Sequence, residues 1–214
     1  MSKKSGMNKL LEKIQKLKLR IGKNVKDRLK EFEKDFYLAP EQKFLELCFC
    51  ILVANSSMEK TLEIWEKIGT EFLNLSERDL KKKLKNFGYR FYNKRAEYIV
   101  EARKIIPEIE QILKSKREEE IREWLAENIK GIGWKEASHF LRNLGFKNFA
   151  ILDRHVLKIL YEHEIINEIP KTLAKNKYLE IEGKLKSIAK SLNITQAELD
   201  LYLFYLDTRK ICKK

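Results

Sequence analysis

Residues 129–138 read IKGIGWKEAS, with glycines at 131 and 133 and a lysine at 135. Upstream, in KREEEIREWLAENIK (116–130), Ile121, Leu125 and Ile129 recur at helical spacing. Downstream, Ala137, Phe140, Leu141 and Leu144 follow the i, i+3, i+4, i+7 pattern of a helix face turned to a core. The segment is therefore two amphipathic helices joined by a glycine turn. Gly131 and Gly133 can take backbone angles that other residues resist. Backbone N–H groups gathered at the start of the second helix, together with its positive end, suit an anion. A DNA phosphate fits there without any base being read, and Lys130 adds a charge beside it. Two other phosphate devices are excluded. Glu136 stands where the third glycine of a dinucleotide fingerprint would be and no strand precedes the turn, and the Gly-Lys-Ser/Thr ending of a phosphate loop is missing.

Lys135 precedes Ala137 by two positions, which places it roughly 200° around the helix from the core face. His139 and Arg142 follow it at i+4 and i+7, on its own side by this spacing. A positive helix end and a nearby arginine both disfavour a protonated amine, and a neutral amine is a nucleophile. Spacing alone leaves two readings open: a solvated lysine on a first helical turn, or a reactive amine.

The rest of the chain sets the context. It has 214 residues, 43% of them hydrophobic, enough for one large domain or two small subdomains with a core. Charged residues reach 36% and the formal net charge is +13, which favours a polyanionic partner, either nucleic acid or an anionic membrane surface. Three prolines, eight glycines, no convincing strand series and no internal repeat predict an all-α fold. Cys48 and Cys50 sit in the apolar run FLELCFCILVA as small hydrophobes, and the three cysteines supply neither a zinc site nor an iron–sulfur cluster. HEIIN (163–167) has the first half of a zinc-protease motif without its second histidine, so no metal is expected there. No apolar stretch is long enough to span a membrane, and the N-terminus lacks a signal-peptide core, which predicts an intracellular, reduced protein.

Further helices are predicted over 8–35, across EQKFLELCFCILVANSS, near 58–72 and 76–86, and through two or more segments after 154. The polar end Asn55-Ser56-Ser57 is abrupt. NFGYRFYNKRAEYIVEARK interleaves Tyr89, Phe91 and Tyr92 with Arg90, Lys94, Arg95 and Arg103, which suits a nucleic-acid surface and equally a packed helix face. Asp153 is placed to cap the helix RHVLKILYEHEII, and Thr195 with Glu198 forms a capping box for the last one.

Taken together, IKGIGWKEASHFLRNLG and AILDRHVLKIL resemble the helix-hairpin-helix base-excision DNA glycosylases. That family pairs a glycine hairpin and a following lysine with an aspartate some 18 residues on, in an Asp-x-His-Val context; here these are Lys135 and Asp153-Arg154-His155-Val156. The Leu-Pro that usually precedes the hairpin is replaced by Ile129-Lys130. LCFCILVANSS is similar to the family's early helix with its strand-separating turn, and FYNKRAEYIVEAR to its central Tyr-x-x-Lys-Ala helix. With EIPKTL and the terminal Leu-Asp-Leu-Tyr helix, the chain from about residue 40 on resembles the archaeal-type 8-oxoguanine DNA glycosylases, which lack the iron–sulfur cluster.

The resemblance implies two helical subdomains flanking a DNA-binding cleft, 38–146 ending in the hairpin, and 1–37 plus 147–214, with Lys135 and Asp153 meeting across the cleft. It implies a flipped-out nucleotide, attack by Lys135 on the sugar C1′, and β-elimination through a Schiff base. Asp153 would stabilise positive charge on the sugar and help deprotonate the lysine. Phe91 and Phe204 become candidates for stacking on the base, and Asn55 for filling the gap it leaves. Lys214, with Lys213 as its rival, becomes the candidate for telling 8-oxoguanine from guanine. Lys130, Gly131 and Gly133 would hold the DNA backbone. The expected partner is double-stranded DNA containing oxidised guanine, bound by a monomer in the cytoplasm of a prokaryote, on the nucleoid, with no cofactor and no membrane. Two alternatives stay open: another oxidised base, such as a pyrimidine lesion, and a DNA-binding module without catalysis.

Overall fold

Eleven α-helices and two short 3-10 turns make up residues 3–211, the part that the computed structural model describes; among these residues there is no strand. They divide into two compact units, Asp35–Phe140, and Met1–Lys34 together with Leu141–Lys214.

In the unit Asp35–Phe140, α2 (Pro40–Val53) is the buried centre, as its near-continuous apolar run requires. Pro40 opens this helix at its first position, where a missing N–H costs nothing. Cys48 and Cys50 are fully buried among Phe44, Leu47, Phe49 and Ile51. Around it stand α3 (Met58–Ile68), α4 (Glu77–Asn86), α5 (Tyr92–Ala102), α6 (Ile109–Ser115) and α7 (Glu118–Asn128). Ser57 and Ser76 cap α3 and α4 by accepting from the N–H groups of Lys60 and Asp79. An ion pair from the buried Lys43 on α2 to the partly exposed Glu110 on α6 links these two helices, and burial holds the Lys43 amine below its usual value. α8 (Trp134–Asn143) follows the hairpin, and the unit boundary falls inside it.

In the other unit, α1 (Lys3–Asp35) is longer than the predicted 8–35. It buries the stripe Leu10, Ile14, Leu17, Val25 and Phe32. Lys18 Nζ donates to the Leu192 carbonyl at 2.9 Å, and Lys147 pairs with Glu33 at 2.6 Å. The turn that closes α8 contains Gly145, whose φ of +85° suits only glycine without strain; Phe146 N–H closes back on the Leu141 carbonyl at 3.0 Å. A β-carbon there would lie 2.8 Å from the Glu33 Cα, so α1 passes as close as a glycine permits. α9 (Arg154–Glu162), α10 (Lys175–Ser191) and α11 (Gln196–Thr208) complete the unit.

In the connection after Gly145, Lys147 and Asn148 are exposed and Phe149, Ala150, Ile151 and Leu152 are buried. A buried backbone without helix or strand partners must be satisfied by side chains. Ala150 N–H donates to Glu182 Oε1 at 3.0 Å, Tyr178 Oη donates to the Ala150 carbonyl at 2.7 Å, and Gln196 donates to the Asn148 carbonyl. This clamp fixes where Asp153 emerges.

Candidate active site

The hairpin places its lysine through the turn itself and the helix packed on it. α7 ends with Ile129 in extended conformation, and Gly131 turns the chain at φ +84°. A β-carbon on Gly131 would stand 2.5 Å from Tyr98 Cδ2 and 3.0 Å from Arg95 Nη1, so α5 packs directly on the turn. Gly133 has no positive φ, unlike the expectation from sequence. It acts instead as the residue before α8: its carbonyl accepts from Ala137 N–H at 2.9 Å, and its own N–H reaches Glu136 Oε2 at 3.3 Å. Lys130 is exposed and pairs with Glu101 at 2.8 Å, which holds its amine above the usual value.

On α8 the core face is as predicted: Ala137, Phe140, Leu141 and Leu144 are buried. Lys135 lies off that face, its side chain 26% exposed, with Nζ 2.9 Å from Glu136 Oε1. His139 and Arg142 do not share its exposure. His139 is buried edge-on against Phe49. Arg142 is buried with its guanidinium over the Phe32 ring, 4.6 Å from the centroid, and 3.5 Å from Asp200 Oδ2. Large partners on other elements draw both side chains inward, which spacing along one helix does not reveal. Beneath the first turn, Arg122 stacks on Trp134 at 4.6 Å and reaches Ser138 Oγ at 3.4 Å.

Asp153 sits at the start of α9 with extended backbone, and its Oδ1 accepts from the N–H groups of both His155 and Val156 at 2.9 Å. His155 is held by Asp207 and packs edge-on to Phe204, and Lys158 pairs with the same Asp207 at 2.7 Å. The His155 and Lys158 contacts keep the Asp207 carboxyl below its usual value. Behind them, burial pushes Asp200 up to about 7; Arg142 opposes the rise and the Asp153 charge adds to it.

The other sequence-predicted residues lie as follows. Asn55 is exposed on the turn after α2, at φ +59°. Two side chains tie that turn down: Tyr89 donates to the Leu52 carbonyl, and Arg95 Nη2 donates to the Ala54 carbonyl at 3.0 Å. Tyr89 and Arg95 are thus buried supports rather than nucleic-acid contacts, whereas Arg90 and Lys94 of the same stretch are exposed. Phe91 is partly exposed, with the Arg90 guanidinium 4.3 Å from its centroid. Phe204 is partly exposed on α11. Lys213 and Lys214 lie outside the described residues. His163, in the HEIIN segment, is bound to the Ile159 carbonyl and to Lys13 Nζ, and among the described residues no cluster of three or more His, Cys, Asp or Glu could hold a metal. No helix among these residues is long and apolar enough to cross a membrane.

Against known families, residues 25–194 match the 8-oxoguanine DNA glycosylase family. An 8-oxoguanine DNA glycosylase/AP lyase from Methanocaldococcus jannaschii is 50% identical over 95% of this chain and 99% of its own length. The crystal structure of an 8-oxoguanine DNA glycosylase from that organism matches with a TM-score of 0.93 at 48% identity, covering 99% of both chains. A second crystal structure from it, bound to a 15mer DNA containing 8-oxoguanine, matches with a TM-score of 0.92, covering 95% of this chain and 99% of the other.

Proposed function

We infer that Lys135 and Asp153 carry the chemistry here, since the chain belongs to the 8-oxoguanine DNA glycosylase family and is a bifunctional glycosylase/AP lyase of its helix-hairpin-helix type. The enzyme removes 8-oxoguanine from duplex DNA and then cuts the abasic strand by β-elimination. The observation that carries the residue assignment is the place of Lys135. It stands on the first turn of α8, directly after the hairpin glycines and off the core face, with its amine partly open.

In this reading the Gly131 turn and Lys130 hold a phosphate beside Gly133, whose own N–H stays with Glu136, and this sets the register of the strand without reading sequence. The lesion nucleotide leaves the stack. Lys135 Nζ bonds to C1′, and the C1′–N9 electron pair departs with the base, which takes up a proton. The nitrogen then loses a proton and the C1′–O4′ bond opens, its electron pair going to O4′, which takes up a proton; the Schiff base so formed makes the C2′ hydrogen acidic, and its loss expels the 3′ phosphate. Asp153 supplies negative charge where the sugar becomes positive. Both backbone N–H groups it caps bind Oδ1, which leaves Oδ2 for that task. Phe91 and Phe204 stack on the base, Asn55 fills its former place, and Lys214 or Lys213 reads the oxidised edge. The enzyme works as a monomer in the cytoplasm, where nucleoid DNA is accessible.

A lesion panel tests the assignment. Duplexes carrying 8-oxoguanine are nicked by the wild type and left intact by Lys135→Ala. Equal or faster cutting of an oxidised pyrimidine would shift the substrate, and tight binding without nicking would leave a binding module.

A further inference from the structure

Glu136 makes two contacts that a capping residue does not need together. Its Oε2 accepts from Gly133 N–H at 3.3 Å, the contact an acidic residue at the third helical position usually makes to the residue before the helix. Its Oε1 is 2.9 Å from Lys135 Nζ. Neighbouring residues on a helix point about 100° apart, so the helix itself does not impose this pairing. The carboxylate folds back over the turn to reach the amine. Gly133 permits that approach, since a β-carbon there would stand 3.2 Å from Oε2. Glu136 is also the less exposed partner, its side chain at 13% against 26% for Lys135. A carboxylate anchored at one oxygen therefore presents the other to the amine.

We propose that Glu136 is the general base that takes the proton from Lys135 Nζ as the amine attacks C1′, a role that rests on Lys135 being the nucleophile. The proton passes from Nζ to Oε1, and the freed pair on Nζ forms the bond to C1′. The C1′–N9 pair leaves with the base, which takes a proton from water, and Glu136 later returns its own proton to solvent. Nothing is oxidised or reduced.

The test is single-turnover release of 8-oxoguanine across pH, with borohydride trapping in parallel, for the wild type, Glu136→Gln, Glu136→Ala and Lys135→Ala. Glutamine keeps an oxygen for Gly133 N–H, so the cap survives. Glu136→Gln slows base release by about 10²–10⁴-fold near neutral pH. The deficit shrinks as pH rises, because hydroxide takes over the proton, and formate accelerates Glu136→Ala but not the wild type. The slope against pH and the formate response do not depend on how much of a variant is folded. A carboxylate that only neutralised the ammonium would hold the proton on nitrogen. In that case Glu136→Gln would be as fast as the wild type or faster, with the same pH slope and no formate effect, and the proposal would be overturned. If Lys135→Ala still traps, the nucleophile itself is misassigned; if it is silent while Glu136→Gln matches the wild type, only the role of Glu136 fails.

Discussion

Gly131→Ala probes the hairpin at its tightest point. Two costs add. An alanine held at φ +84° pays the left-handed penalty of about 1–2 kcal/mol. Its β-carbon would also stand 2.5 Å from Tyr98 Cδ2 and 3.2 Å from Cε2, so the ring must move, an overpacking cost of about 1–3 kcal/mol. The sum is about 2–5 kcal/mol, or roughly 4–20 °C in melting temperature for a chain of this size. Denaturant unfolding followed by tryptophan fluorescence reads it, since Trp124 and Trp134 flank the turn. Repeating the substitution in a Tyr98→Ala background separates the terms: there the loss falls to the backbone part, about 1–2 kcal/mol. A loss below about 0.5 kcal/mol, or an equal loss in both backgrounds, refutes the packing of α5 on the turn.

Asp153→Asn retains an oxygen for the His155 and Val156 N–H groups and loses the charge, so its melting temperature stays near the wild type while base release falls by about 10²–10³-fold. Asp153→Ala loses the cap as well, about 0.5–2 kcal/mol of stability; equal activity of the Asn variant and the wild type would deny the electrostatic role. Asp200 gives a pH signature. Its folded carboxyl titrates near 7, above the ordinary 3.8, so its contribution to stability is present at acid pH and is lost as pH rises towards and through 7. Asp200→Asn does not titrate, and the stability of the wild type relative to it falls by roughly 2–3 kcal/mol between about pH 5 and pH 8. A difference that stays flat with pH in paired unfolding titrations contradicts the burial of that carboxyl.

What the sequence discloses follows from the range of each interaction. The core face of α8, the Asp153 cap and the all-helical class depend on neighbours within a turn, and periodicity shows them. Thr195 likewise caps α11, although only its half of the box is seen as expected; the Glu198 carboxylate meets Tyr202 Oη at 3.4 Å. α6, seven residues behind Pro107, is too short for a periodic signal. The supports of the site are long-range, and local pattern does not show them. Tyr89 and Arg95 reach carbonyls 37 and 41 residues earlier, and Arg142 finds Phe32 and Asp200. A stretch of mixed basic and aromatic residues reads as a surface because pattern cannot tell which side chains turn inward to satisfy a helix end. Glu136 is hidden for another reason: in the sequence it is only the residue that breaks a glycine fingerprint, and its contact with the amine needs the carboxylate to fold back.

The proposed chemistry turns on one covalent bond, from Lys135 Nζ to the sugar. Borohydride reduction during turnover of an 8-oxoguanine duplex, followed by proteolysis and mass spectrometry, tests it at the level of the atom. A stable protein–DNA adduct is expected on the peptide that contains Lys135, and none with Lys135→Ala. An adduct on another residue, or undiminished trapping by Lys135→Ala, would contradict it.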